Sequence, residues 1–363
     1  MIYVDEFRDK EAVRGLARKI VKIADGKCLT FMEVCGTHTM SAARYGIRNI
    51  LPENVKLLSG PGCPVCVTPN SYLDRAMAIS RLHQSIIVTF GDMFRVPGSS
   101  SSLAREKSQG GDIRIVYSAL DSLSIARENP DRKVVFLGIG FETTAPTVAA
   151  TILAAQREGL DNFFVLCGHK TIPNAMKMLV DSSELNVSGF ICPGHVSAII
   201  GSRSYEPLAT EYRVPCVVAG FEPTDILQAI YMLAKQVKED RASVENQYSR
   251  VVAEDGNTKA ISVMEGVFGT KDAEWRGIGV VSQSGLSIRE KFSAFDAESN
   301  IEVEVERTKE FPGCICGQIL RGVKTPLQCK LFGKECTPVE PKGACMVSSE
   351  GTCAAYYKYP QLP

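Results

Sequence analysis

This chain is short of histidine, of net charge and of long apolar runs, and each shortage narrows what it does. Its 41 Lys and Arg balance 41 Asp and Glu, a formal net charge of +0, so no electrostatic pull toward nucleic acid or an anionic membrane is expected. No stretch approaches the roughly 20 apolar residues of a membrane-spanning helix. The opening Met1-Ile2-Tyr3-Val4-Asp5-Glu6-Phe7-Arg8-Asp9-Lys10 is too charged for a secretory leader. No glycine-rich phosphate loop ending in Gly-Lys-Ser/Thr and no serine nucleophile elbow occurs, and Gly138-Ile139-Gly140 is too short to count as a dinucleotide fingerprint. The expectation is a cytoplasmic protein with no nucleic-acid and no membrane partner.

Cysteine is abundant, with 13 in 363 residues. In a reducing compartment that number argues for metal or redox chemistry rather than structural disulfides. The length suggests two or three domains. Apolar runs at 28–34, 55–58, 85–90, 113–116, 134–139, 163–166, 189–191 and 215–218 alternate with helical patterns such as 11–24, 145–157 and 225–237. This alternation predicts α/β architecture with parallel sheets covered on both faces. The loop Pro97-Gly98-Ser99-Ser100-Ser101-Ser102 is a plausible break between halves. The expected units are 1–110 and 111–240, two similar α/β domains, and 241–363, a Cys-rich C-terminal domain in which 242–255 reads as helix.

Six cysteines fall between Cys314 and Cys353 (Cys314, Cys316, Cys329, Cys336, Cys345 and Cys353) in a segment with little to build a core. Such a segment needs an external staple, and a four-cysteine cluster with two spare thiols suits it better than zinc, whose structural sites favour paired C-x2-4-C knuckles. Zinc remains the alternative. Upstream, Cys35-Gly36-Thr37-His38 follows the first predicted strand, where loops at strand carboxyl ends carry ligands. His38 reads as an iron ligand or as a base for Cys35, with simple packing the competing reading. Gly60-Pro61-Gly62-Cys63-Pro64-Val65-Cys66 resembles a thioredoxin-like redox pair, the alternative being half a zinc knuckle.

Of four histidines, three (His38, His169 and His195) come shortly after a cysteine at a strand end, Cys35, Cys167 and Cys192. Packing alone accounts poorly for that. A shared polar cleft is expected, with Asp92 and Glu142 as candidate acids and His83 an exposed residue in a helical pattern. Gly140-Phe141-Glu142-Thr143-Thr144 is echoed by Gly220-Phe221-Glu222-Pro223-Thr224. Either the two share a strand-to-helix turn, or both glutamates face one cleft. Cys28 and Cys35 flank one predicted strand. Only Cys35 is followed by Gly and, three residues on, by His, so Cys28 is expected to pack and Cys35 to face the cleft.

In this order the motifs resemble the HypD family of [NiFe]-hydrogenase maturation proteins over essentially the whole chain. The resemblance rests on 31–40, 60–69, 140–146 and 193–201. It rests most on the end, from Cys314-Ile315-Cys316-Gly317 through Leu331-Phe332-Gly333 to Cys345-Met346-Val347-Ser348 and Ala354-Ala355-Tyr356-Tyr357. It implies two similar α/β domains facing a cleft and a C-terminal iron–sulfur domain. The family spacing C-x14-C-x6-C-x16-C fits Cys314, Cys329, Cys336 and Cys353 as ligands of a [4Fe-4S] cluster. Cys316 and Cys345 are then the spare pair implied to lie beside the cluster and form a disulfide, a layout similar to ferredoxin:thioredoxin reductase. The resemblance further implies that Cys35 holds the iron of an Fe(CN)2CO unit together with a HypC-type chaperone, that HypE and HypF deliver cyanide, and that the hydrogenase large subunit receives the product. Cys35, His38, Cys63, Cys66, Glu142 and His195 form the expected reactive set of a redox-active scaffold. A thiol–disulfide oxidoreductase is the first alternative, a structural zinc protein the second.

Overall fold

The helix Lys10–Ala24 begins where Asp9 accepts a hydrogen bond from the Ala12 N–H at 2.7 Å, and it buries Ile20 and Ala24 against the sheet behind it. A computed structural model describes residues 5–182, 184 and 186–359. Eleven strands follow that helix among the described residues: β1 (Leu29–Glu33), β2 (Val55–Ser59), β3 (Ser85–Thr89), β4 (Ile113–Ile115), β5 (Lys133–Gly138), β6 (Phe163–Cys167), β7 (Gly189–Pro193), β8 (Cys216–Ala219), β9 (Val244–Asn246), β10 (Phe268–Trp275) and β11 (Gly279–Ile288). The first eight lie on the apolar runs read from the sequence. β3, β7 and β8 are buried at every residue, as strands covered on both faces must be.

The strands form two parallel sheets, ordered β2-β1-β7-β8-β9 and β4-β3-β5-β6, and an antiparallel hairpin, β10-β11. The chain therefore does not divide at residue 110. After β2 it leaves the first sheet, builds the whole second sheet, and returns to place β7 beside β1, with Phe31 opposite Gly189. The Pro97–Ser102 loop lies between β3 and β4, inside the second sheet. Alternation identifies strands, but pairing is decided by contacts far apart in sequence.

Residues 241–363 likewise do not form one unit. The expected helix at 242–255 is instead edge strand β9 followed by turns. A helix comes later, Thr258–Val267, capped by Asn257 accepting from Ala260 N–H at 3.0 Å. Phe268 and Leu286 of the hairpin, with Phe292 and Phe295, pack into the core of the second sheet alongside Val134 and Phe163. The Cys-rich end is joined to the first sheet by a core in which Cys316, Ile319 and Met346 cluster with Val34, Cys63 and Val67. Among the described residues no helix is long and apolar enough to cross a membrane.

Candidate functional site

Cys35 leaves β1 in extended conformation and caps the helix Gly36–Arg44. Two glycines make its setting possible. The Gly36 N–H donates to the Gly62 carbonyl at 2.9 Å, and a Cβ on Gly62 would stand 2.1 Å from the Cys35 nitrogen, so only glycine fits. The backbone N–H groups of Thr37 and His38 face the Cys35 sulfur. Burial and the nearby Glu350 carboxylate outweigh them and push its thiol up to about 12. Beneath it Glu33 is fully buried: it accepts from Cys35 N–H at 3.3 Å and from the Thr39 hydroxyl at 2.5 Å, with Arg48 3.6 Å away. Burial still raises that carboxyl to about 7.

A cavity of about 370 Å³ opens at Cys35, lined by Pro193 and His195 at the end of β7, by Phe141, Thr143 and Thr144 beyond β5, and by Glu350. Both sheets thus contribute their carboxyl ends. The His38 ring does not serve Cys35 as a base. Its Nε2–H donates to the carbonyls of Gly220 and Ala219, at 2.9 and 3.2 Å, and its Nδ1 is buried without a partner. Phe221 lies between the two imidazoles, 4.8 Å from His38 and 4.1 Å from His195. Burial lowers both histidines, His38 to about 4, so both are neutral near pH 7. What His38 offers the thiol is its backbone N–H.

Glu142 is buried behind the cavity wall. One oxygen accepts from Ile172 N–H at 3.0 Å, the other has no partner, and burial raises it to about 7. Its sequence echo Glu222 has another role, capping the helix Pro223–Lys238 in a reciprocal pair with Asp225 and meeting Arg8. Asp92 is exposed in a 3-10 turn. It reaches the site only through its charge, which helps to raise the Glu350 carboxyl.

The redox-type pair lies next to this cavity. Cys63 caps the short helix Pro64–Val67 and its sulfur accepts from Cys66 N–H at 3.2 Å, while the two sulfurs stand 2.6 Å apart. The Cys63 thiol donates to the Ser348 hydroxyl oxygen at 3.3 Å. Cys66 also contacts Cys345. Cys345 in turn lies 3.1 Å from Cys316 and contacts Cys353. Cys314, Cys316, Cys329, Cys336, Cys345 and Cys353 line a single small cavity floored by Ile315, Ile319, Leu331, Phe332 and Met346. All 13 cysteines are unbridged.

Other expected members lie elsewhere. Cys167 and His169 are in a separate cavity of about 330 Å³ at the end of β6, lined also by Tyr72, Lys170 and Lys271. The Cys167 sulfur lies 3.7 Å from His169 Nδ1. The shared cleft therefore takes two of the three Cys/His strand ends. Cys28, expected to pack, is exposed at the amino end of β1, opposite Cys35. Cys192 and Cys216 are fully buried core thiols. His83 is exposed, but in a turn after the helix Asn70–Ser80. Glu350 carries no sequence signal beyond its position between Cys345 and Cys353, and Ser348 stands in the sequence only as the end of the Cys345-Met346-Val347-Ser348 motif, with no role attached.

Fold and site define a thiol-rich α/β protein in which parallel strand ends and a terminal cysteine cage meet. Comparison with known proteins gives it a family. Residues 11–360 match the HypD family model, described as hydrogenase formation hypA family. The chain is 48% identical to hydrogenase maturation factor HypD2 of Bradyrhizobium diazoefficiens, covering 99% of this chain and 97% of that protein. It is 47% identical to hydrogenase maturation factor HypD of Cupriavidus necator and 48% identical to that of Azotobacter vinelandii, with 99% and 97% coverage in both cases. The chain belongs to the HypD family of hydrogenase maturation factors.

Proposed function

We propose that this protein is the scaffold on which the iron unit of [NiFe] hydrogenases, Fe(CN)2CO, is assembled, with Cys35 as its iron ligand. The observation that carries the reading is the run of thiols that starts at Cys63, next to Gly62 and Pro64 in the wall of the Cys35 cavity, and passes through Cys66 and Cys345 to Cys316 and the cysteine cage. A buried thiol held well above its usual range releases its proton when a cation replaces it. Cys35 is in that state, and Glu350 is the neighbouring carboxylate placed to take the proton. Neutral His195, Thr143 and Thr144 line the space where cyanide and CO ligands would project. These strong-field ligands suit low-spin iron held by thiolate.

Cys314, Cys329, Cys336 and Cys353 would hold a [4Fe-4S] cluster. The four cysteines line one cavity with an apolar floor of Ile315, Ile319, Leu331, Phe332 and Met346, and four thiolates in one apolar pocket are the donor set that such a cluster takes. When bound, the cluster supplies single electrons. The chain's part is to hold Cys316 and Cys345 between it and Cys66. A HypC-type chaperone would share the iron, HypE and HypF would supply cyanide, and the hydrogenase large subunit would receive the finished unit.

The test is infrared spectroscopy of the protein purified anaerobically with its HypC-type partner, together with metal analysis. Cyanide and CO bands with about four further irons per chain are expected. Iron without those bands would favour the thiol–disulfide oxidoreductase reading, and zinc in place of iron would overturn both.

A further inference from the structure

Arg48 sits in the short helix Ile47–Ile50, and its side chain is only 12% exposed. Its guanidinium joins three segments that meet below Cys35. Nε donates to the Leu57 carbonyl at 3.1 Å and Nη2 to the Ser59 hydroxyl at 2.9 Å, both at the end of β2. Nη2 also stands 3.6 Å from Glu33, the buried carboxylate that accepts the Cys35 N–H. The third contact is the ring of Tyr356, its centroid 5.5 Å from the Arg48 Cζ. The remaining nitrogen, Nη1, is buried with no partner. An apolar side chain of similar volume often stabilises such a space as well or better, so the charge points to a task beyond packing.

Tyr356 connects this group to the cage. Its helix, Thr352–Lys358, holds the cage cysteine Cys353 in its first turn and packs on the helix Gly36–Arg44 that Cys35 caps. The residues just before it fasten at the same place. Thr37 donates to Glu350 at 2.6 Å, and a Cβ on Gly36 would stand 2.4 Å from the Glu350 Cβ.

We infer that Arg48 is a positioning residue that carries the order of the cage to Cys35: tying Cys353 fixes the C-terminal helix, Tyr356 fixes the guanidinium, and Arg48 fixes Glu33 under the Cys35 N–H. This rests on Cys35 as iron ligand and gives the cage a second task besides electron supply. With Arg48 in place, β1 and β2 end at one fixed separation, and Cys35 presents its sulfur to the cavity in one direction. When the tail is untied, the guanidinium loses its cover, water reaches the Glu33 pair, and the Cys35 turn loosens. Filling of the cage then precedes, and prepares, the site at Cys35.

The test uses the full chain with its cluster loaded, in the variants Tyr356→Leu, Tyr356→Phe, Arg48→Met and Arg48→Lys. Two quantities are read: the rate of Cys35 alkylation by iodoacetamide, followed by peptide mass spectrometry, and the cyanide and CO infrared bands of the complex with the HypC-type partner. Tyr356→Leu should keep the thiolate-to-iron absorption, speed Cys35 alkylation at least about fivefold through loss of the cation–π contact, and shift or broaden the bands. Tyr356→Phe, which retains a ring, should match wild type. Arg48→Met should act in the same direction and more strongly, and Arg48→Lys should recover part of the loss. Because Arg48→Met leaves Glu33 buried without a cation and endangers folding, Tyr356→Leu alone decides if that variant is insoluble. An unchanged alkylation rate in Tyr356→Leu, or unmoved bands beside a faster rate, overturns the proposal. So does a change that comes with loss of the absorption, which would place the effect at the cage. Bands that persist in Cys35→Ser would instead overturn Cys35 as the iron ligand, while the alkylation rates still decide on Arg48.

Discussion

The carboxyl ends of the two sheets carry the same residue types and put them to different use. At the first sheet Cys35 opens onto a cavity shared with His195 and Glu350, and a run of thiols leads away from it to the cage. At the second sheet Cys167 and His169 face each other at 3.7 Å in a cavity of their own. Burial raises that thiol to about 11 and lowers that imidazole to about 3, and among the described residues no further cysteine lines that cavity. Residue type and strand-end position are therefore not enough. What distinguishes the first site is the Cys63 and Cys66 pair behind its wall, next to the lining residues Gly62 and Pro64.

The strongest way to break this comparison is to exchange the two cysteines' fates. Cys35→Ser should abolish the cyanide and CO infrared bands of the complex with the HypC-type partner, whereas Cys167→Ser should leave them at wild-type intensity. Bands lost in Cys167→Ser and kept in Cys35→Ser would reverse the two sites.

Next in size is the cage. Replacing any one of Cys314, Cys329, Cys336 or Cys353 with Ala should bleach the thiolate-to-iron absorption and lower the melting temperature, because the binding free energy of a cluster held by the folded chain adds to its folding free energy. Cys316→Ala and Cys345→Ala should keep the absorption. Loss of absorption in either would make that residue a ligand.

A smaller effect comes from Glu142, which holds the cavity wall from behind. Its folded carboxyl sits near 7, raised from an ordinary 4.5 by burial, so the folded state keeps a proton that the unfolded chain releases. Its contribution is therefore complete below about pH 4.5 and is lost as pH rises toward and through 7, on the order of 3 kcal/mol in all. Glu142→Gln should flatten the fall in urea midpoint between pH 5 and 8 by a large part of that amount. An unchanged slope would show that Glu142 is not the group responsible.

The smallest change should come from Cys28, exposed at the far end of β1. Cys28→Ser is expected to shift stability by less than about 0.5 kcal/mol and to leave the infrared bands intact. A larger effect would mean that Cys28 has a partner outside this chain.

Eight strands and three long helices were legible because periodicity is local: a strand buried on both faces must be an apolar run, whatever it pairs with. The cage cysteines were legible too, since their number and spacing sit in one short segment. The antiparallel hairpin β10-β11 was not, because several of its residues alternate with polar ones in a region whose cysteines dominated the reading. Nor were Ser348 and Glu350, two ordinary polar residues whose roles exist only where the tail folds back on Cys63 and Cys35.

Sequence alone determined that β1 ends in a Cys-Gly-Thr-His turn, that a C-x-x-C pair follows β2, and that six thiols close the chain. Only the tertiary structure decided that β1 lies between β2 and β7, which brings Pro193 and His195 to Cys35 and leaves Cys167 and His169 on another sheet. It also decided that the His38 ring binds the Gly220 carbonyl instead of the neighbouring thiol. The physical reason is the same in each case. Side-chain type and spacing fix what a segment can form, but strand partners and the direction of a buried ring are set by contacts between residues some 150 to 180 positions apart, as with Phe31 and Gly189 or His38 and Gly220.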